Sequence, residues 1–489
     1  MSKPLNILYI HSHDTGRYIS PYGHKVETPN LQRLAEEGVL FRQAFCGNPT
    51  CSASRSVLLT GMYAHSNGML GLAHRGFAMN DYNQHLVRLL KKHGYATALS
   101  GVQHEAHDEA GDDSNADGGR HHGKDGSRTA GRKAWEIIGY DQYLAEPAKA
   151  HLGAADFLAK RTQGDKPFFL AVGFFETHRE FPVEHPAVDA RYVAPPAPLP
   201  DTSAVREDMA RYLEMARTYD QKVGHVLNAL DKAGLRESTL VISTTDHGIA
   251  FPAMKCNLTD AGIGIMLIMR GPRGFTGGKV IDSMVSHVDV APTLFEVLGF
   301  PREAQFQGVS FLPQVQDAAA GGSPSTSTGT AGTGAASGTQ GAVPKTPGAP
   351  RTALFAEVNY HASEEPMRCV RTDRYKYIRR YPIHTDAAKD TPVLANCDDS
   401  FSKDCWLDAG WEHFRRGREE LYDLILDPNE RNNLAESTAH GEVRADLRRR
   451  LDAWMAETSD PLADRHLPLP EKAIVNAPNA RSPKERPQR

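Results

Sequence analysis

Apolar runs of strand length alternate with helical stretches from residue 6 to residue 298. Residues 6–11 are apolar on both faces, as in a strand buried inside a parallel sheet. Thr28 and Pro29 open a helix that runs through Glu37 and stops at Gly38. Residues 39–45 predict a second strand, residues 85–93 an amphipathic helix closed by Gly94, and residues 95–99 a third strand. Residues 149–163 predict a helix and residues 167–173 a strongly apolar strand. A long helix follows, with Met209, Leu213, Ala216, Val223, Val226, Leu227 and Leu230 on one face. Residues 239–244 and 263–269 continue the sheet, and residues 289–298 form a further helix.

This alternation predicts an α/β fold, a mainly parallel sheet covered by helices on both faces. In such sheets the ligand crevice lies outside the carboxyl ends of the strands. Four strands end there in polar clusters: His11 to Arg17, Ser100 to His104, Glu176 to Arg179 and Thr245 to Gly248. Their repetition says more than any one of them.

The remainder of the chain differs in texture. Residues 106–131 are rich in Gly, Asp and His without periodicity, a loop near the crevice or a flexible insert. Residues 318–350 are low-complexity Gly, Ser, Thr, Ala and Pro, a linker or loop without a core of its own. Residues 352–358 and 369–379 predict strands of a small sheet; residues 420–424 lead into a turn at Asp427-Pro428, and residues 443–455 predict a charged amphipathic helix. The polar, Pro-rich C-terminus predicts a loose tail. The expected organisation is a catalytic domain over residues 1–317, the low-complexity segment over 318–350, and a small sheet-and-helix domain over 351–489.

At 489 residues the chain exceeds one usual hydrophobic core, which agrees with two domains. A hydrophobic content of 40% with 24% charged residues is that of a soluble globular protein. A net charge of −4 offers no footprint for nucleic acid or an anionic membrane, and no apolar stretch is long enough for a membrane-spanning helix. The N-terminus lacks a basic region followed by a long apolar run, and the six cysteines form neither a zinc-type CxxC pair nor a disulfide-rich pattern. A cytoplasmic, reduced protein is expected.

The segment Pro49-Thr50-Cys51-Ser52-Ala53-Ser54-Arg55 sets a cysteine at the start of a helix with an arginine four positions on. Helix amides and the guanidinium predict a lowered thiol pKa. For an isolated cysteine, the bland reading is a half-buried thiol beside a surface arginine. Asp14 and Asp246, each after a strand, are the best metal ligands, with His13 and His247 beside them. Alone, a His-Asp pair is more often a cap or a surface pair; two such pairs after two strands favour a metal site. Carboxylates suit Ca2+ or Mg2+, and imidazoles shift preference toward Mn2+, Fe2+ or Zn2+. Arg55 and Lys255 are candidate cations for an anionic substrate. His104 and His178 are candidates to bind it or protonate its leaving group, with a structural histidine nearly as good a reading of either alone.

The pattern Cys-x-Ala-x-Arg opening a helix resembles the signature of type I sulfatases, members of the alkaline-phosphatase superfamily. Asn6-Ile7-Leu8, Thr28-Pro29-Asn30-Leu31, Thr245-Asp246-His247-Gly248 and Glu420-Leu421-Tyr422-Asp423 stand as further landmarks in the family's order. Asn67-Gly68-Met69, Phe251-Pro252 with Lys255-Cys256-Asn257-Leu258, Pro366-Met367-Arg368 and the stretch from Trp454 to Pro461 look most like the heparan N-sulfatase (sulfamidase) branch. The resemblance implies an alkaline-phosphatase-like α/β/α sandwich with a small C-terminal antiparallel-sheet domain. It implies a Ca2+-type site (Mn2+, Mg2+ or Zn2+ being the other fits) with His13, Asp14, Cys51, Asp246 and His247 as ligands. It also implies Cys51 converted by a formylglycine-generating maturation enzyme to 3-oxoalanine (formylglycine), whose hydrate attacks a sulfate. Cys51, Arg55, His104, His178 and Lys255 would carry catalysis on a saccharide or small organic sulfate. Two positions depart from the family: His13 replaces an aspartate, and Val102 replaces the lysine of a Gly-Lys-x-His segment. These departures keep two alternatives open, a phosphonate or phosphate ester hydrolase of the same superfamily and a non-catalytic anion- or glycan-binding relative.

Overall fold

The computed structural model describes residues 4–109, 131–162, 164–181, 187–318, 351–383, 390–464, 467–485 and 487. The low-complexity segment from residue 319 on and most of the Gly/Asp/His-rich stretch, residues 110–130, lie outside the described residues.

Among the described residues, ten strands precede the low-complexity segment: β1 (Asn6–Ser12), β2 (Val39–Phe41), β3 (Ala44–Phe45), β4 (Ala96–Gly101), β5 (Gln142–Tyr143), β6 (Phe168–Gly173), β7 (Thr239–Thr245), β8 (Leu267–Arg270), β9 (Lys279–Ile281) and β10 (Val285–Ser286). Eight of them form one sheet in the order β5-β4-β6-β1-β7-β8-β2-β9. Within it β8 alone runs against the others. The sheet is buried on both faces because its central strands carry apolar residues toward both layers. Ile7 and Tyr9 point into one core with Leu89, Leu90 and Leu294. Leu8 and Ile10 point into the other with Tyr219, Val223, Val226 and Leu227 of the helix Ser203–Lys232. Side chains alternate across a strand, so one apolar run feeds both layers.

Among the described residues beyond that segment lie β11 (Leu354–Tyr360), β12 (Glu364–Arg371), β13 (Tyr375–Arg380) and β14 (Glu419–Asp423), an antiparallel meander in chain order. One face of this sheet, with Leu354, Ala356, Cys369 and Ile378, joins the core of the larger sheet, and the other, with Phe355, Val370 and Tyr377, shares a cluster with Trp454 of the helix Gly441–Glu457 and with Ala53 and Val57 of the helix Cys51–Thr60. The Trp454 ring stacks on Phe355 at 5.1 Å. The architecture is thus the expected α/β/α sandwich with a separate antiparallel sheet.

Four expectations change in detail. Residues 39–45 break into β2 and β3, which join different sheets, because β3 pairs with β10. Residues 263–269 end a short helix, Asp260–Ile263, before the antiparallel β8 begins. Residues 369–379 span two strands, folded back where Thr372 donates its N–H to Tyr375. The C-terminal residues 467–485 are also held. Ala473 and Asn476 are buried, Ile474 donates its N–H to the Arg75 carbonyl, and Arg75 donates to Asn476 and to the Pro483 carbonyl. Gly76 lets them approach, since a Cβ there would stand 2.1 Å from the Lys472 carbonyl oxygen. No helix among the described residues is long and apolar enough to cross a membrane.

Candidate active site

Strand register builds the site. Gly101 pairs with Gly173, Gly173 with His11, and Ser12 with Thr245, so β4, β6, β1 and β7 end level with one another. The four polar clusters therefore leave the sheet at one edge. Gly173 is needed there: a Cβ would lie 1.9 Å from the Val102 carbonyl oxygen and 2.6 Å from the His11 ring. Asp14 (φ 49°) and His104 (φ 128°) hold left-handed backbone conformations that side chains other than glycine adopt at a cost.

The helix Cys51–Thr60 points its N-terminus into this edge and is buried along its whole length. Asn48 Oδ1 accepts from the Thr50 amide and hydroxyl, turning the chain into the helix, and Ser54 Oγ donates to the Asp246 carbonyl at 2.5 Å. Cys51 Sγ consequently lies 3.4 Å from His247 Nε2 and 4.0 Å from Asp14 Oδ1.

Asp246 and Asp14 form the centre. Asp246 Oδ1 accepts from the amides of Asp14 and His247, and Oδ2 accepts from Arg55 Nη2 at 2.9 Å. Asp14 Oδ2 accepts from Lys255 Nζ at 3.0 Å, and Lys255 reaches Asp398 Oδ2 at 3.1 Å on its other side. Arg55 also donates to the Ser12 carbonyl and lies against His11 Nδ1, so its guanidinium is tied to the floor of the site. His247 faces the Gly248 carbonyl through Nδ1 at 2.9 Å and turns Nε2 toward Asp14 and Cys51. The rings of His104 and His178 stand 5.4 and 5.5 Å from that of His13. His74 stacks on His104 from outside.

Charge and burial set the protonation states. Burial works to raise the Asp246 carboxyl, but His247 and Arg55 outweigh it and hold the group well below the usual carboxylate range. Asp398 behaves likewise, with Lys255 opposing burial. Burial and then Arg55 push His13 and His104 well below the ordinary histidine value, so both are neutral imidazoles at pH 7. For Cys51 the structure overturns the expected lowering: burial pushes the thiol well above its usual range. Lys255 and Arg55 do favour the thiolate, but Asp14 and Asp246 oppose them inside a dry pocket.

The candidate site residues His13, Asp14, Cys51, Arg55, His104, His178, Asp246, His247 and Lys255 meet at this edge. Sequence reasoning missed Asp398, His11 and His74. His11 carried a signal, since residues two apart on a strand share a face with His13. Asp398 carried none, standing 143 residues from the lysine it pairs with.

The donor set fits a divalent cation. His13, Asp14, Cys51 and Asp246 each offer one ligand atom within 4.8 Å of the others. His13 is 1% exposed, yet neither ring nitrogen has a hydrogen-bond partner. A buried imidazole that makes no hydrogen bond, with Nδ1 3.4 Å from Asp246 Oδ2, is placed to serve as a ligand.

A family model described as Sulfatase matches residues 5–300. Human N-sulphoglucosamine sulphohydrolase is 28% identical, the match covering 94% of this chain and 91% of that protein. The solved structure of an enzyme in complex with its substrate, D-glucosamine-2-N,6-O-disulfate, superposes with a TM-score of 0.63 at 19% identity, over 95% of this chain and 100% of that one. A phosphonate monoester hydrolase of Agrobacterium radiobacter superposes with a TM-score of 0.59 at 19% identity, over 96% and 99% of the two chains.

Proposed function

Since the chain belongs to the sulfatase family and is thereby a sulfuric ester hydrolase, we propose that it hydrolyses a sulfate ester or sulfamate on a saccharide, with Cys51 as precursor of the nucleophile. The observation that carries this reading is the placement of Cys51, at the N-terminus of a buried helix between His247 and Asp14. A thiol held protonated by burial is a poor nucleophile. Conversion of Cys51 to formylglycine removes that difficulty, because the hydrated aldehyde presents a hydroxyl oxygen at the same point.

Each remaining group has a task that its position supports. His13, Asp14, Asp246 and His247 would hold the cation, with Ca2+ favoured by the resemblance and Mn2+, Mg2+ or Zn2+ as other fits. Bound there, a divalent cation lowers the pKa of a coordinated hydroxyl and neutralises a sulfate oxygen. Lys255 brings a second positive charge to the sulfuryl group, steered by Asp398. Arg55 offsets the charge of Asp246 and fixes its orientation. The rings of His104 and His178 both pack edge-on against that of His13, and we assign the two histidines to the leaving group. The sulfamidase-like segments and the human relative, named for N-sulphoglucosamine, support an amino-sugar sulfamate as the first substrate to try.

Two measurements test this. Peptide mass analysis of protein made with a competent maturation system should show Cys51 as the lighter aldehyde; a thiol throughout would favour the non-catalytic alternative. Parallel assays on an aryl sulfate, a sulfamate and a phosphonate monoester should rank a sulfur substrate first. Fastest turnover of the phosphonate would move the protein to the ester-hydrolase alternative. Cys51→Ala should abolish turnover with thermal unfolding unchanged.

A further inference from the structure

We propose that, while Cys51 remains a thiol, His13, Cys51 and His178 form a site for a thiophilic divalent cation of the zinc type. This nitrogen-and-sulfur site shares His13 and Cys51 with the set described above and takes His178 in place of Asp14 and Asp246. The proposal concerns the unconverted chain and stands whether or not the sulfatase reading holds.

One ligand atom from each of the three residues lies within 4.8 Å of the other two. They arrive from three directions: His13 after β1, His178 after β6, and Cys51 from the start of its helix. That spread suits a tetrahedron better than neighbours on one element could. His13 has both ring nitrogens free of hydrogen bonds although it is buried. His178 faces the Arg179 carbonyl through Nδ1, which assigns its proton there and leaves the Nε2 lone pair for a ligand. The Phe175 ring flanks both imidazoles, 5.5 Å from His13 and 4.9 Å from His178, and forms an apolar wall. Phe175 is itself 47% exposed and His178 half-buried, so this side opens to solvent.

Donor chemistry selects the ion. Two imidazoles and a thiolate are the ligands zinc prefers, whereas calcium and magnesium seek oxygen. Three protein ligands leave the fourth position to water. Bond lengths of about 2.3 Å to sulfur and about 2.0 Å to nitrogen would draw the donors to roughly 3.5 Å apart, a contraction within reach of side-chain rotation. Binding deprotonates the thiol: the Sγ–H bond breaks, the sulfur lone pair binds the cation, and the proton passes to solvent. No electron changes hands. Conversion of Cys51 to an aldehyde removes the soft donor and with it the site.

The test uses the full chain with Cys51 confirmed as a thiol by peptide mass, and Co2+ as the spectroscopic probe. One equivalent of Co2+ should produce a sulfur-to-cobalt charge-transfer band, which one equivalent of Zn2+ bleaches. The band should vanish in Cys51→Ser, and His178→Gln should bind at least about tenfold more weakly. Zn2+ should also protect Cys51 from alkylation in the unmutated chain, a readout that does not depend on how well a variant folds. The proposal falls if no such band forms at saturating Co2+, or if Zn2+ leaves alkylation of Cys51 unchanged. It also falls if the band persists in Cys51→Ser, which would assign another cysteine. Full-strength binding by His178→Gln would overturn it too, by assigning the sulfur to the carboxylate set.

Discussion

Lys255 stands between two carboxylates, 3.0 Å from Asp14 and 3.1 Å from Asp398, in a pocket from which water is largely excluded. Burial alone would favour the neutral amine, yet Asp14 and Asp398 keep its pKa well above the usual lysine value. It is therefore a fixed positive charge one bond from the residues that would hold the cation. Lys255→Met keeps the side-chain bulk and removes the charge. It should lower kcat/KM on an aryl sulfate about 10²–10³-fold, the usual cost of one preorganised donor. A loss of less than tenfold in a well-folded variant would reject the role. At this scale the sequence exposed the candidate residues that follow β1, β4, β6 and β7, because the strand end itself is the signal. It could not expose Asp398, whose partner is set by folding alone. Nor could it foresee the state of Cys51: helix amides and a nearby arginine are local features, whereas the desolvation that opposes them depends on everything packed around.

Among the elements, the helix Leu86–Lys92 shows how one buried group links local structure to pH. His85 caps it, with Nδ1 accepting from the Val87 amide at 3.2 Å, a bond that requires the neutral ring. Burial, with a smaller effect from Arg88, pushes its pKa from 6.5 to about 3. Between those values the unfolded chain binds a proton that the folded chain refuses. The stability from this group is complete above pH 6.5 and is lost as the pH falls toward 3. Unfolding free energy should drop by about 2 kcal/mol between pH 7 and pH 5 from this residue. His85→Asn keeps a capping acceptor without the titration. Urea midpoints at the two pH values should converge by that amount in the variant; an unchanged difference would refute the assignment. The strands were legible from apolar runs, and their ends within a few residues. The break between β2 and β3, and the reversal of β8, were not. An apolar run is compatible with either direction, and pairing partners decide which is taken.

Across the molecule, an ionic network fastens the C-terminal sheet to the catalytic edge. Asp260 opens a short helix five residues after Lys255 and accepts from Arg371 at 2.9 Å and from Lys376 at 2.7 Å. Lys376 also meets Glu430 at 2.8 Å. Burial works to raise the Asp260 carboxyl, and Lys376 and Arg371 overcome it and keep the group ionised. Asp260→Ala would strip these cations of their shared partner and should cost at least about 2 kcal/mol of stability, since removing one member of a buried pair is costly. Thermal unfolding measures this; a shift worth under about 0.5 kcal/mol would show that the sheet is held by its apolar face alone. A compositional view of the C-terminus as a loose tail failed for a related reason. Its residues are polar and Pro-rich, but their backbone groups find partners in Arg75 and Ala362 that only the folded surface supplies.

The sequence by itself determined the layered α/β/α architecture, the strand ends where chemistry gathers, and Cys51 with its arginine at a helix start. Periodicity and local backbone chemistry are written in neighbouring residues, so they survive without a fold. Tertiary structure decided the rest: the level register that brings four clusters to one edge, the pairing of Lys255 with Asp398, and the burial that keeps the Cys51 thiol protonated. Those depend on distances and desolvation between segments far apart in the chain, and such quantities exist only once it has folded.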